Sequence, residues 1–372
     1  MDKTTWQRVK LGEIGKITTG KTPSQNNPQD WGDETLFITP SDYKNYYKYA
    51  KNSIRKISKE GKTRFKNIIL PKNSILVTCI GSDMGKVVIN YKECLTNQQI
   101  NSITPNAKVL YNILYYHMVF LYPVLKNFGL SGTAIPILNK SDFENIEISL
   151  PPLETQHKIA EILSSLDDKI DLLHRQNKTL ESLSLTLFRH TFIDNPNRNA
   201  WQIGKLGDYV TPKKGKNITH KNAIKGIYPV IAGGLEPAYY HNQSNTQSPV
   251  ITISASGANA GFVNIHYCPV WSSDSSYIDS TITPYIYISY LFLKHNQNIL
   301  YDKQEGSAQP HIYPSHIMEL EMPHYPKELM ESFETQIQVY FNKISHNMKE
   351  IQNLESLRDI MLPKLLSGEM EV

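Results

Sequence analysis

Two segments of the chain, one at the start and one near the middle, are copies of one pattern. WQRVKLGEIGKITTGK begins at Trp6 and WQIGKLGDYVTPKKGK begins at Trp201, with 7 of 16 positions identical. Further matches follow in the same order: VTCIGSDMG from Val77 with ITISASGANAG from Ile251, then GTAIPILNKSDFENIEI with GSAQPHIYPSHIMELEM. Coincidence is a poor explanation for several matches in one order. The sequence therefore predicts a duplicated unit of about 180 residues, which is too long for a solenoid repeat.

Each copy of the repeat divides into a β-rich part and a long helix. The first part has short runs of Val, Ile, Thr and Tyr between Gly, Pro and Asn, which is typical of strands and turns. Pro152 precedes the first long helical pattern and Pro326 precedes the second, and proline is favoured at helix starts. The sequence predicts an α+β fold in which two long helices separate two β-rich globular domains. The predicted boundaries are 1–152 and 196–325 for the domains, and 153–195 and 326–372 for the helices.

Both helices carry the alternating three- and four-residue spacing of a coiled-coil seam. The seam positions are Leu163, Leu166, Ile170, Leu173, Asn177 and Leu180 in the first helix, and Ile337, Ile344, Asn347, Ile351 and Leu354 in the second. Such a narrow stripe favours a helix as partner, with an ordinary core helix lying on a sheet as the alternative. Because tandem copies favour a pseudo-two-fold arrangement, we expect the two helices to pair antiparallel, with the domains at opposite ends of the pair.

The asparagines of the seam predict its register. If Asn177 lies opposite Asn347, each amide has a partner, whereas a shift by one heptad puts each against an apolar residue or Tyr340. A buried amide without a partner costs about 1–3 kcal/mol, so the matched register is favoured. In that register Arg358 lies opposite Leu166, which is tolerable if its guanidinium reaches solvent. The alternative is that both asparagines lie at a solvated edge and do not determine the register.

Positive charge is concentrated in the predicted domains. Residues 1–150 hold 20 Lys and Arg against 12 Asp and Glu, and residues 196–322 hold 9 against 8. The helical segments are acidic, with 5 against 7 in 151–195 and 5 against 8 in 323–372. Basic side chains that neutralise phosphates release counterions from DNA, so this distribution favours nucleic acid as the partner of the domains.

Candidate DNA contacts follow from two basic stretches. Ten basic residues lie from Lys44 to Lys72 against Glu60 alone, interleaved with aromatic residues that include Tyr46. The candidates in the first domain are Lys21, Thr22, Ser24, Lys44, Lys48, Lys51, Arg55, Lys62 and Arg64. The candidates in the second are Lys213, Lys214, Lys216, Asn217 and His220. A solvated lysine surface without a ligand is the alternative for both stretches.

Composition excludes several other classes of protein. A hydrophobic content of 40% is too high for a wholly disordered chain. Three widely spaced cysteines form no CxxC pair, which argues against a disulfide framework or a zinc site. His311 and His316 have no evident third metal ligand. The sequence shows neither a signal-peptide core nor an apolar run long enough to span a membrane, so we expect a cytoplasmic protein.

Known catalytic motifs do not account for the chain. Residues 15–22 match GxxxxGK followed by Thr, but Pro23 follows at once and prevents the helix that a phosphate-binding loop requires. The Pro-Pro pair at 151–152 lacks the flanking residues of an amino-group DNA methyltransferase, and no GxGxxG is present. No nuclease centre stands out.

The sequence resembles the DNA specificity subunits of type I restriction–modification systems. The resemblance is carried by the domain openings WQRVKLG and WQIGKLG, by TGKTPS and FITPSD, and by the closings GTAIPILN and GSAQPHIY. The most specific segments are LPPLETQHKIAEILSSLDDKID with RQNKTLESL, and the C-terminal LRDIMLPKLLSGE. Together these segments extend over nearly the whole chain.

The resemblance implies a non-catalytic subunit with two target-recognition domains, each reading one half of a split double-stranded DNA site. It also implies that the helices set the gap and dock two methyltransferase subunits, and that a restriction and translocase subunit joins the assembly. We expect no cofactor in this chain; S-adenosylmethionine, ATP and Mg²⁺ belong to the partners. The alternatives are a restriction or methyltransferase enzyme acting alone, and a coiled-coil adaptor that does not bind DNA.

Overall fold

The computed structural model describes residues 6–45, 47–81, 83–127, 137–306 and 310–372. Tyr46 and parts of both closing motifs, at 132–136 and 307–309, lie outside the described residues. The chain forms two compact units. The first unit comprises Met1–Leu173 and Glu350–Val372, and the second comprises His174–Lys349.

The first unit contains eleven strands among its described residues. They are β1 Gln7–Lys10, β2 Gly15–Thr19, β3 Trp31–Gly32, β4 Thr35–Ile38, β5 Tyr49–Ala50, β6 Arg55–Ile57, β7 Ile75–Thr78, β8 Val87–Asn90, β9 Cys94–Thr96, β10 Ile100–Pro105 and β11 Glu147–Leu150. The helices that begin in it are α1 Leu11–Ile14, α2 Lys59–Arg64, α3 Tyr111–Phe120, α4 Tyr122–Asn127, α5 Lys140–Glu144 and α6 Leu153–Phe188. A π-helical turn, Arg189–Ile193, follows α6.

Three sheets organise these strands. The largest has the order β2-β10-β7-β8-β5, the second has the order β3-β6-β4-β9, and β1 pairs with β11. The central strand β7, with the sequence ILVT, is buried at every position, as expected for a strand rich in β-branched residues inside a core. The pairing of β1 with β11 brings the opening of the domain beside its end, immediately before α6 begins.

The second unit repeats this plan. Its strands are β12 Ile203–Lys205, β13 Lys213–Lys214, β14 Tyr228–Ile231, β15 Tyr239–His241, β16 Val250–Ser254, β17 Val263–His266, β18 Trp271–Ser272, β19 Ser275–Asp279 and β20 Glu321–Pro323. Its helices are α7 Ile286–His295, α8 Gln297–Asp302, α9 Pro314–Met318 and α10 Lys327–Leu366, the last of which continues into the first unit. The sheets have the orders β13-β19-β16-β17, β15-β14-β18 and β12-β20.

The two units share a strand order, which supports the duplication inferred from sequence. β2-β10-β7-β8 corresponds to β13-β19-β16-β17, and the pair β1 with β11 corresponds to β12 with β20. The internal helices α3 and α7 occupy the same place in the order of elements, and so do the long helices α6 and α10. The mixed α and β architecture with two long helices is therefore as the sequence predicted.

Each long helix is joined to its domain by a side chain that binds the start of the internal helix. In the first unit, Gln156 of α6 accepts a hydrogen bond from the Leu110 N–H at 3.0 Å, immediately before α3. In the second, the carboxylate of Glu334 in α10 accepts from the N–H groups of Tyr287 and Ile288 in α7, both at 2.9 Å. The first N–H groups of a helix lack partners within it, so these contacts satisfy donors that would otherwise be unpaired.

Candidate nucleic-acid interface and helix seam

One cavity of about 410 Å³ in the first unit brings four predicted DNA-binding residues together. Lys21, Thr22 and Ser24 come from the loop after β2, and Arg64 comes from the end of α2. The rest of the lining is Asn27, Asp30, Phe65, Asn67 and Ile68. We call this the loop cavity. It places two cations and two hydroxyl groups around one concave surface, which suits an anionic or hydrogen-bonding ligand.

Close backbone contacts hold the loop cavity in shape. A Cβ added at Gly20 would lie 2.2 Å from the carbonyl oxygen of Asn97, and one added at Gly61 would lie 2.3 Å from that of Asp30. Only glycine allows these approaches. The Lys21 N–H donates to Thr96 O at 2.8 Å, and the Thr22 hydroxyl donates to Gln98 Oε1 at 2.7 Å. The cationic loop is therefore fixed against the loop that follows β9.

A second concave surface of the first unit, about 640 Å³ in volume, carries five lysines. Two of them, Lys51 and Lys62, are predicted DNA contacts; the other three are Lys56, Lys72 and Lys92. Glu34 and Glu93 oppose them within the same surface, which we call the lysine groove. Lys62 Nζ donates to Glu93 at 2.6 Å, and this bond raises the pKa of Lys62. The excess of lysine gives the groove a net positive charge suited to a phosphate backbone.

The remaining exposed candidates of the first unit lie elsewhere. The guanidinium carbon of Arg55 lies 4.8 Å from the centre of the Trp31 ring and 5.0 Å from that of Phe37, both cation–π distances. Lys44 is exposed at the end of the 3₁₀ segment Pro40–Asn45. Neither lines the loop cavity or the lysine groove.

Lys48 is buried, and its prediction as a DNA contact is wrong. Its side chain is 2% exposed, and its Nζ lies 3.9 Å from Asp167 Oδ2 on α6. The ammonium group also donates to Tyr116 OH at 3.0 Å and to Ser164 Oγ at 3.2 Å. Desolvation lowers the pKa of Lys48, and the charge of Asp167 opposes that effect. Since the side chain is enclosed and paired, it cannot reach a phosphate from this position.

The candidates of the second unit lie on the edge strand of its main sheet and in the loop that follows that strand. Lys213 and Lys214 form β13, the edge strand beside β19, and both are exposed. Lys216 is also exposed, and its carbonyl oxygen accepts from Trp271 Nε1 at 2.7 Å, which fixes the backbone there. The Ser273 hydroxyl donates to Asn217 Oδ1 at 3.3 Å, and the His220 ring stands edge-on to Tyr239 at 5.2 Å.

The helix seam forms within each unit. In the first unit, Ile170, Leu173 and Ile351 form a buried cluster with Leu354 packed against it, and Leu163 packs with residues of the domain core. In the second, Ile337 and Ile344 are buried with Leu180 beside them. Leu166 is only partly buried. Residues later in α6 contact residues earlier in α10. The helices are therefore antiparallel in each unit, as predicted.

The predicted register of the asparagines is confirmed. Asn347 Nδ2 donates to Asn177 Oδ1 at 2.8 Å, and Asn347 is fully buried. Arg358 is partly exposed, and its guanidinium pairs both with the buried Asp167 and with the exposed Asp359. Its Nη1 lies 3.2 Å from Asp167 Oδ1 and donates to Tyr47 OH at 2.8 Å, and its side chain is 20% exposed. The buried carboxylate of Asp167 needs a countercharge, and Arg358 supplies it from the opposing helix.

Sequence reasoning missed residues whose importance depends on contacts across the fold. Asp30 is 1% exposed beside Arg64, and Asp167 binds both Lys48 and Arg358. No local pattern marks either carboxylate, because each partner lies far away in sequence. Lys56 and Lys72 lie within the predicted basic stretch, and the composition of that stretch is the signal that could have identified them.

Within the described ranges, no helix is both long and apolar enough to cross a membrane. Across those same ranges, no group of three or more His, Cys, Asp or Glu side chains is arranged to hold a metal ion. His316 Nε2 instead lies 3.3 Å from a carboxylate oxygen of Glu305.

Comparison with known proteins agrees with this geometry. Residues 3–182 match the family model described as the type I restriction modification DNA specificity domain. The type I restriction enzyme MjaIX specificity subunit of Methanocaldococcus jannaschii is 28% identical over 407 aligned positions, which cover 99% of this chain and 94% of that protein. The HindI specificity subunit of Haemophilus influenzae is 32% identical over 180 positions, covering 48% of this chain and 39% of that one.

A solved structure shares the fold. The S subunit of a type I restriction–modification system from M. genitalium superposes with a TM-score of 0.60 at 18% identity, covering 97% of this chain and 96% of that one. Residues 3–182 therefore carry the type I restriction modification DNA specificity domain, and the whole chain is similar to type I restriction enzyme specificity subunits. The names of these relatives describe specificity subunits of type I restriction enzymes.

Proposed function

We propose that the chain reads a split double-stranded DNA site, with each β-rich domain contacting one half. The observation that carries this proposal is the duplication of one strand order in two units, each with its own exposed basic surface. In the first unit that surface includes the loop cavity and the lysine groove. In the second it is the edge strand β13 with Lys216. We take the recognition domains as 1–152 and 196–325, and the spacer helices as 153–195 and 326–372.

The proposal assigns the chemistry to partners. The chain would bring a DNA site to two methyltransferase subunits that use S-adenosylmethionine, and to a restriction and translocase subunit that uses ATP and Mg²⁺. A cytoplasmic location follows from such a substrate and stays a prediction. Phosphate contacts by the exposed lysines would supply affinity, and a smaller set of side chains would read base edges.

Domain exchange tests the proposal. The full chain is assembled with its methyltransferase subunits, and the methylated bases of exposed DNA are sequenced. Replacing 1–152 with the corresponding domain of another specificity subunit should change one half of the methylated site and leave the other unchanged. Replacing 196–325 is the matched experiment for the other half. A folded chimera in which both halves change would contradict modular reading.

The helices offer a repeated surface for the methyltransferase subunits. The tetrapeptide Leu-Glu-Ser-Leu occurs once in α6 and once in α10, at 180–183 and 354–357. In each copy the first leucine packs in the seam or core, whereas the last is exposed: Leu183 by 42% and Leu357 by 45%. An apolar side chain kept outward at the same place in both copies is consistent with one kind of partner bound twice.

Serine substitutions test this docking surface. Leu183→Ser and Leu357→Ser should each remove one methyltransferase subunit from the complex, measured by native mass spectrometry. Leu172→Ser is the control, since Leu172 is 40% exposed on α6 but lacks an apolar counterpart in the second copy. Full occupancy in the double variant would place the docking surface elsewhere.

A further inference from the structure

The loop cavity contains a buried carboxylate paired with a half-exposed guanidinium. Asp30 is 1% exposed, and its Oδ1 lies 3.1 Å from Arg64 Nε, whose side chain is 47% exposed. The contact is an ion pair rather than an aligned hydrogen bond, because neither oxygen of Asp30 has a hydrogen-bond partner among the described residues. Burying a carboxylate is costly unless its countercharge stays close. Asp30 therefore restricts where the Arg64 guanidinium can lie.

Two further features fix the direction of Arg64. With the Asn27 amide oriented so that its oxygen faces the guanidinium, that oxygen accepts from Arg64 Nη1 at 2.9 Å. Asp30 itself is held by the Ser58 N–H, which donates to the Asp30 carbonyl at 2.9 Å, and by the close approach of Gly61. Nε and one N–H of Nη1 thus face the protein. Nη2 and the second N–H of Nη1 are the donors left for a ligand in the loop cavity, which Arg64 lines.

This arrangement suits a base better than a phosphate. Asp30 offsets the positive charge of Arg64, so attraction to a phosphate is reduced at this place, whereas Lys21 in the same cavity has no such partner among the described residues. The acceptors O6 and N7 of guanine carry only partial negative charge, so the carboxylate repels them much less than it repels a phosphate. They match two parallel N–H groups of a guanidinium, and this is the commonest specific contact in the major groove.

We propose that Arg64 reads a guanine in the half-site bound by the first domain, and that Asp30 and Asn27 are positioning residues for it. This inference rests on the proposed function and makes it specific: one base, in one half of the site, is assigned to one side chain. Lys21 would contact a neighbouring phosphate. This contact would fix how deeply the base enters the loop cavity.

The test uses the full chain assembled with its methyltransferase subunits, and DNA duplexes in which each position of the methylated site is varied. Arg64→Ala should reduce discrimination at one guanine of the first half by about 5- to 150-fold and leave other positions unchanged. Arg64→Lys should behave similarly, since it keeps the charge but loses the fork. Asp30→Asn should weaken discrimination at the same position only. Lys66→Ala, an exposed neighbouring cation, is the control and should leave all preferences intact.

A change in the DNA gives a readout that does not depend on how the variants fold. Replacing the guanine with 7-deazaguanine removes N7, so the wild-type complex should lose affinity while the Arg64→Ala complex should not. The inference is overturned if Arg64→Ala weakens binding to all sequences equally, which would identify a phosphate contact, or if the affected position is not guanine. A wild-type complex with no sequence preference would instead refute the proposed function.

Discussion

Asn347 Nδ2 donates a hydrogen bond to Asn177 Oδ1 at 2.8 Å, which joins the two long helices by one amide pair. The pair is only half satisfied, because Asn177 Nδ2 and Asn347 Oδ1 are buried and have no partner among the described residues. It therefore adds little net stability in this register. Its effect is to penalise other registers, in which both amides would lose their partner.

We predict that Asn347→Leu lowers the free energy of unfolding by about 1–3 kcal/mol, because it leaves the Asn177 amide buried without a partner. The double variant with Asn177→Leu removes both amides and should recover most of this loss. Urea unfolding of the two single variants and the double variant measures the coupling between them. Asn342→Leu, an exposed position on the same helix, should have little effect. Additive losses in the double variant would contradict the pairing.

The buried network around Asp167 predicts different results for two nearby lysines. Lys48→Met should cost about 3 kcal/mol of stability, the lower end of the range for breaking a buried ion pair, because Arg358 still neutralises Asp167. The salt dependence of DNA binding should not change. Lys44→Ala, at an exposed position, should leave stability unchanged and reduce the salt slope by about 1 if it contacts a phosphate. A reduced salt slope in Lys48→Met would mean that this lysine reaches DNA in the complex.

How much of the structure the sequence predicts depends on how far apart in the chain the contacting residues lie. The repeat predicts two units because each copy carries its own strands and internal helix in the same order. The heptads predict the Asn177–Asn347 contact because a helix seam has a fixed period. No sequence periodicity predicts the burial of Lys48 or the pairing of Arg64 with Asp30. A basic stretch gives the sign of the charge, and only the tertiary fold decides which side chains turn inward.

Glu334 predicts a pH dependence of stability. Burial raises its pKa from an ordinary value of 4.5 to about 7, opposed by the N–H groups of Tyr287 and Ile288. Because the folded-state pKa is the higher one, the stability contributed by this group is fully present below pH 4.5 and is lost as pH rises through about 7. The loss is roughly 3 kcal/mol, at about 1.4 kcal/mol per pKa unit.

Glu334→Gln should abolish this dependence. The difference in unfolding free energy between wild type and variant is measured from pH 4 to 8 and should change in favour of the variant as pH rises. Glu331→Gln, one turn earlier and exposed, is the control and should give a constant difference over the neutral range. A constant difference for Glu334→Gln as well would show that its carboxyl titrates normally.

The edge strand of the second domain is predicted to bind phosphates. Replacing Lys213, Lys214 and Lys216 with alanine should weaken binding to all DNA sequences and reduce the salt slope by roughly 1 for each lysine. Lys327→Ala, exposed on α10, should leave both unchanged. Binding of specific and unrelated duplexes over a range of salt concentrations measures the effect. An altered target preference with an unchanged slope would identify these lysines as base readers instead.

The length of the paired helices is predicted to set the gap between the two half-sites. Since α6 and α10 are held in one register by the asparagine pair, a change in one helix alone would mismatch the seam. Seven residues inserted after Leu173, and seven after Lys349, keep the heptad pattern in both. The insertion adds about 10.5 Å at 1.5 Å per residue, or about three base pairs at 3.4 Å each. Sequencing of methylated bases should find both half-sites unchanged and the gap wider by about three base pairs. A folded, active variant with the original gap would mean that another part of the assembly sets the spacing.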